Sequence, residues 1–187
     1  MAGTRRTVLL GLAGLAGALL LDTTTAQAAS AHDITREAHK ALSLLYQKQP
    51  KARELSKRAV AVLVFPKIFK GGVIIGGQSG DGVLLVRGKP EAYYNISAAS
   101  FGLQLGGQRF AYALFFMNEK SLDYLRKSDG WAIGSGPSVV VMDEGAAASV
   151  TSTTLSQDVY AFPFGQKGLM AGIGIEGSKI TRIHPDK

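Results

Sequence analysis

Ala59-Val60-Ala61-Val62-Leu63-Val64-Phe65-Pro66-Lys67-Ile68-Phe69-Lys70-Gly71-Gly72, with the run on to Val86, is the stretch that decides the fold. Its first seven residues are apolar and rich in valine, the composition of a buried strand. Proline has no amide hydrogen to give to a ladder, so Pro66 is expected to stop that strand. Val73-Ile74-Ile75 and Val83-Leu84-Leu85-Val86 are two further strand candidates. Between them lies Gly76-Gly77-Gln78-Ser79-Gly80-Asp81-Gly82, whose glycines and aspartate suit positive-φ turn positions. A hairpin turning through this segment is the expectation.

Toward the C-terminus the same texture continues. Tyr93 to Leu105 and Arg109 to Phe116 read as strands around Gly106-Gly107. Ser138 to Met142, Val159 to Phe164, Leu169 to Ile175 and Lys179 to Ile183 read as four more. One helix interrupts them, Glu119 to Lys127, with Asn118 near its cap and Leu122 and Leu125 on one side. Short strands at regular spacing with glycine turns predict an antiparallel sheet that curls or closes.

Toward the N-terminus the period changes from two to 3.6. Ser30-Ala31-His32-Asp33 has capping-box form, and Ile34, Ala38, Ala41, Leu42 and Leu45 recur at spacings of three and four. Pro50 interrupts this helix and suits the first turn of a second, running to about Lys57 with Ala52 and Leu55 inward. The outer faces carry Lys48, Lys51, Arg53, Lys57 and Arg58. The expected fold is therefore α+β: N-terminal amphipathic helices packed on a curved, largely antiparallel, barrel-like sheet, with one further helix.

Ahead of the helices, Arg5-Arg6 stand directly before the uncharged apolar run Val8 to Leu21. A membrane span needs about 17–25 such residues, and this run is shorter. Ala26-Gln27-Ala28 then supplies small residues at a cleavage site, completing the three parts of a signal peptide. The arginine pair before Val-Leu-Leu matches the twin-arginine export motif, with the general secretory route as the alternative. Residues 1–28 are thus expected to be an export signal and 29–187 a single exported domain, periplasmic or extracellular. There is no cysteine, which excludes disulfides, c-type haem, thiolate metal sites and a lipid-modified cysteine anchor.

The chain has 21 basic and 14 acidic residues, a formal charge of +7, and losing Arg5, Arg6 and Asp22 leaves about +6. Such an excess favours anionic partners, of which a membrane suits an exported protein and nucleic acid does not. Catalytic motifs are absent: no G-x-S-x-G, H-E-x-x-H or P-loop occurs. Gly172-Ile173-Gly174-Ile175-Glu176-Gly177 has dinucleotide-fingerprint spacing, but a strand follows where that chemistry needs a helix. His32 and His39 lie two helical turns apart without further ligands, and Asp143-Glu144 reads as a surface turn. No enzyme, cofactor or metal is expected. The segment around Lys67-Ile68-Phe69-Lys70 is more telling. A phenylalanine there can enter a lipid boundary while lysine ammonium groups stay at the phosphates.

Several segments resemble the SYLF-domain family: Phe65-Pro66-Lys67, Lys70-Gly71-Gly72, Gly76-Gly77, Gly80 and Gly82-Val83-Leu84, then Gly102-Leu103-Gln104-Leu105-Gly106, Gly136-Pro137, Lys167-Gly168-Leu169, Gly172 and Glu176-Gly177. Their order and spacing over roughly 35–183 carry the resemblance. It implies a single α+β lipid-binding domain without catalytic residues. Eukaryotic members engage phosphoinositides through a basic N-terminal helix and a basic patch. Only the Lys67/Lys70 segment and the basic helix faces carry over. The chain departs from the family at Tyr93-Tyr94-Asn95-Ile96, where many members have tryptophan and a serine-proline-like loop. For an exported protein the anion would be phosphatidylglycerol, cardiolipin or a lipopolysaccharide phosphate, and actin binding does not transfer. The expected function is binding of anionic phospholipid at a membrane surface through Lys67, Phe69, Lys70, Lys48, Lys51, Arg53, Lys57 and Arg58. The alternatives are a structural or protein-interaction component of the cell envelope, and an enzyme with an unrecognised site.

Overall fold

The computed structural model describes residues 29–72, 75–101, 106–142, 156–168 and 177–186. The export signal expected at 1–28, the strand expected at 169–175 and the surface turn expected at Asp143-Glu144 lie outside them. The described residues form three helices and eight strands.

The helices start and stop where their caps dictate. In α1 (Ala31–Lys48) the Ser30 hydroxyl accepts from the Asp33 amide at 3.2 Å and donates to the Asp33 carboxylate at 3.0 Å. That hydroxyl, with the Arg36 guanidinium beside it, holds the Asp33 carboxyl below its ordinary range. Gln49 breaks the helix, and Pro50 opens α2 (Pro50–Arg58) in the first turn, where its missing N–H costs no intrahelical bond. Their inward residues are Ile34, Ala38, Leu42 and Leu45 of α1 and Ala52 and Leu55 of α2. Asn118 caps α3 (Glu119–Lys127), its side chain accepting from the Ser121 amide at 2.8 Å.

The strands are β1 (Ala61–Gly72), β2 (Ile75–Val86), β3 (Lys89–Phe101), β4 (Gly106–Phe116), β5 (Trp131–Ala132), β6 (Val139–Val141), β7 (Val159–Gly168) and β8 (Lys179–Ile183). They make one sheet in the order β5-β8-β3-β2-β1-β4-β7-β6. Every neighbouring pair is antiparallel except β6 with β7. The sheet curls into a half-barrel. Trp131, on the terminal strand β5, packs on Phe116 of β4 with ring centroids 6.1 Å apart, although four strands separate β5 from β4 in the sheet order. The concave face holds Leu63, Phe65, Ile68, Phe110 and Leu114, with Leu122 and Leu125 of α3. The other face carries Val62, Val64, Val83, Phe115 and Phe162 beneath α1 and α2. Each large side chain removed from water contributes roughly 1.5–3 kcal/mol, so two cores back to back hold the sheet. The α+β, largely antiparallel architecture agrees with the expectation from sequence.

Two local expectations are corrected. Pro66 does not end β1. It sits at a bulge, where the pairing with β4 steps from Phe65↔Tyr112 to Ile68↔Phe110, so a missing amide there costs the ladder little. Nor is Gly76–Gly82 a turn. It is the first half of β2, paired with both β1 and β3. Its glycines serve close approach rather than positive φ: a Cβ on Gly82 would lie 2.4 Å from the Val64 carbonyl oxygen, and one on Gly80 would lie 2.3 Å from that of Lys67. The hairpin turn of β2 into β3 is at Arg87-Gly88, whose φ values of 50° and 78° are both positive as a tight primed turn requires. Tyr93 to Ile96 lies within β3, in agreement with the strand expected from Tyr93, with Tyr94 and Ile96 in the concave core and the Tyr93 hydroxyl 3.0 Å from that of Thr35 on α1.

Candidate functional site

The helix-covered face of the sheet continues past the end of α1, and two bulges shape what lies there. On β1 the extra residue falls at Pro66-Lys67. On β7 it falls between Phe164 and Lys167, opposite Ala111 and Arg109 of β4. Gly165 takes φ +66° in that second bulge, a conformation that glycine adopts without steric cost. A groove of about 910 Å³ opens at these bulges, between the C-terminal half of α1 and strands β1, β4 and β7. Its apolar walls include Leu44, Leu45, Pro66, Pro163 and Phe164, and small Ala41 and Ala111 leave the space open.

Charge is distributed unevenly around the groove. Lys48, Arg109 and Lys167 line it, all three exposed, and no carboxylate does among the described lining residues. Arg109 pairs in register with Lys167 on one side and Phe69 on the other. Core residues alternate along β1 and β4, so Phe69 and Arg109 face the helix side. Phe69 is 60 % exposed and Leu44 55 %, which leaves large apolar surface beside the cations. Gln49 Oε1 is buried at the groove without a hydrogen-bond partner among the described residues.

The expected site residues separate into groups. Phe69 and Lys48 belong to the groove region. Lys67 is ion-paired with Glu37 of α1. Lys70 alternates to the concave face, in register with Gln78 and Gln108 rather than beside Phe69's cations. Lys51 pairs with Glu54 at 3.4 Å and its side chain is only 18 % exposed. Arg53, Lys57 and Arg58 are exposed on α2 and do not line the groove. Arg109 and Lys167 escaped the sequence reading. Their only local signal is a cation beside glycine, in Gly107-Gln108-Arg109 and Gly165-Gln166-Lys167, and only strand register unites them.

Other features of the described residues are structural. Burial raises the Tyr94 and Tyr112 phenols, and both stand in the concave core. Glu91 is lowered by its hydrogen bonds from Arg126, a surface ion pair joining β3 to α3. Among the described residues no group of three or more His, Asp or Glu could hold a metal ion. No described helix is long and apolar enough to cross a membrane, which says nothing of crossing by strands.

No curated protein matches the chain. A family model does: Ysc84, described as Las17-binding protein actin regulator, matches residues 97–184. That segment runs from late β3 through β8, so it includes Arg109, Phe164 and Lys167, while α1, Phe69 and Lys48 precede it. Residues 97–184 thus match the Ysc84, or SYLF-domain, family, in agreement with the resemblance carried by the sequence motifs.

Proposed function

We propose that this protein attaches to anionic phospholipid surfaces through the helix-side end of β1, β4 and β7. The observation that carries this reading is one patch in which Lys48, Arg109 and Lys167 stand with exposed Leu44, exposed Phe69 lies in register beside Arg109, and no carboxylate is among the groove's described lining residues. Cations draw the patch to phosphate, each contributing roughly 1 kcal/mol near an anionic surface. Phe69 and Leu44 then enter the interface, a contribution that salt does not screen. The family is linked to lipid binding and to protein binding, and both kinds of partner fit such a surface. The role is non-enzymatic. The protein reaches the lipid by twin-arginine export and cleavage after Ala28, a reading that rests on Arg5-Arg6, the Val8 to Leu21 run and Ala26-Gln27-Ala28.

Flotation of the chain with phosphatidylglycerol-containing and purely phosphatidylcholine vesicles, across a salt series, tests the attachment. The expected result is binding to the first, weakened but not abolished at physiological salt, where the screening length is about 8 Å. Equal binding to both vesicles would defeat the electrostatic mechanism. For export, Arg5→Lys with Arg6→Lys should leave unprocessed protein in the cytoplasm, and normal processing would assign the general secretory route. The family description, which names a protein partner, favours one second reading: the same patch holding a protein of the envelope. Vesicle binding that fails at every salt concentration would select it.

A further inference from the structure

We infer that the groove receives the acyl chain of a single anionic monoacyl phospholipid, with its phosphate held at the Lys48, Arg109 and Lys167 rim. The inference rests on the surface reading above and extends it from adhesion to uptake of one molecule. Adhesion alone needs cations and a projecting phenylalanine. It does not need a hollow of about 910 Å³, which lies within the roughly 300–1,000 Å³ of small-molecule sites. The walls provided by Leu44, Leu45, Pro66, Pro163 and Phe164 are hydrocarbon or aromatic and can take a methylene chain.

The rim selects the other end of the ligand. Its charged side chains are all cationic, and none of the three has an ion-pair partner among the described residues. Arg109 can present two parallel N–H donors to a phosphate, and two lysines add point charges beside it. Gln49 Oε1, buried and without a hydrogen-bond partner among the described residues, offers an acceptor that a headgroup hydroxyl can satisfy. An anionic head with hydroxyls and one apolar tail matches all three features. A monoacyl lipid also exists as a free monomer in water, so the protein can capture it away from a bilayer. The bulges explain why the site is here: they break the row of side chains that elsewhere packs flush against α1.

Calorimetric titration of the full chain with lauroyl lysophosphatidylglycerol, below its micelle concentration, tests this. The expected result is saturable binding at one lipid per chain, with lysophosphatidylcholine of the same chain length at least tenfold weaker. Ala41→Phe places a ring in the groove from a partly buried helix position. It should weaken lysophosphatidylglycerol at least tenfold while the melting temperature and attachment to anionic vesicles persist. Arg109→Glu, at an exposed position, should weaken lysophosphatidylglycerol but not lysophosphatidylcholine. Anionic vesicle binding without saturable monomer binding would overturn the uptake and leave the surface reading standing. Failure of both would overturn the surface reading as well. Unchanged monomer binding by Ala41→Phe would also overturn the groove assignment. So would a dimer that this variant dissociates, since the groove would then hold a second copy.

Discussion

Strand β1 has two ends that share one hydrogen-bonded ladder and little else. From Ala61 to Phe65 every residue is buried, with odd positions in the concave core and even positions beneath the helices. From Phe69 to Gly72 the strand still pairs on both sides, yet Phe69 stands 60 % exposed and glycines complete the run. Backbone pairing therefore keeps the second end in place without side-chain packing on its helix-side face. That leaves its side chains available for a ligand. The difference is testable because the sheet around each end, β1 with its neighbours β2 and β4, has residues of the same type in contrasting settings.

The largest contrast is between two phenylalanines. Phe115 is fully buried, edge-on to Phe162 at 5.4 Å and tilted against Tyr46 at 6.5 Å. Phe115→Ala should cost about 3–5 kcal/mol in urea unfolding, the usual loss for an aromatic removed from a core. Phe69→Ala should fall within about 0.5 kcal/mol of the parent. Comparable losses for the two would mean that Phe69 is covered, and the distinction between the ends would fail.

Two glycines give the next contrast. A Cβ at Gly82 would meet the Val64 carbonyl at 2.4 Å and the Phe65 ring at 2.5 Å, whereas at Gly107 nothing lies within 4 Å. Gly82→Ala should destabilise by about 1–3 kcal/mol, the range for forcing atoms into a filled core. Gly107→Ala should be neutral or stabilising by up to about 1 kcal/mol, since alanine has less freedom to lose than glycine. Thermal melts of both variants check this, and a neutral Gly82→Ala would show that β1 and β2 can move apart.

These contrasts also mark how far the sequence could be read. Periodicity exposed α1, α2 and α3 with their caps at Ser30 and Asn118, because helix signals are local and the capping bonds span three residues. Runs of valine and aromatics exposed the packed halves of β1, β4 and β7 for the same reason. The glycine-rich half of β2 read as a turn because glycine looks alike locally whether it serves positive φ or close backbone approach. Only the neighbouring β1 distinguishes the two. The site suffered likewise. Lys67 and Lys70 are near Phe69 in sequence, but the alternation of a strand sends Lys70 to the other face, and Glu37, thirty residues away, claims Lys67. Arg109 and Lys167 are 58 positions apart and meet through register alone. Lys48 carried an ambiguous signal, since a cation in the last helical turn also stabilises the helix dipole.

A smaller effect belongs to the packed end. Asp158 precedes β7 and accepts from the Ser138 amide at 3.0 Å and from Asn118 at 2.9 Å, bonds that hold its carboxyl below the ordinary 3.8. A carboxyl lowered by folding adds stability that is full above its unfolded value and lost as pH falls through the folded one. Asp158→Asn should therefore lose stability at neutral pH and converge on the parent below about pH 3.8. Melting temperatures from pH 7 to 2 would show it. A gap that stays constant across this range would mean that the bonds do not depend on the charge.

The smallest expected effect sharpens the comparison at the exposed end itself. Arg109 and Lys67 are both cations of the helix-side region, but Lys67 is held by the Glu37 carboxylate and Arg109 has no ion-pair partner among the described residues. An ammonium already bonded to a carboxylate must give up that bond before it can meet a phosphate. Arg109→Ala should thus reduce affinity for anionic vesicles by about fivefold, corresponding to roughly 1 kcal/mol for one cation near the surface. Lys67→Ala alone is a poor control, because it leaves Glu37 as a new negative charge beside the patch. Lys67→Ala combined with Glu37→Gln removes one charge of each sign and preserves the local sum. That double variant should bind within about twofold of the parent, its own exposed ion pair contributing little to stability either. Glu37→Gln by itself should raise affinity, by releasing Lys67 and removing a repelling carboxylate. Flotation of the four variants at two salt concentrations separates these outcomes. If the double variant instead loses as much as Arg109→Ala, Lys67 touches lipid despite its partner. The contact surface would then extend from the groove onto the outer side of α1.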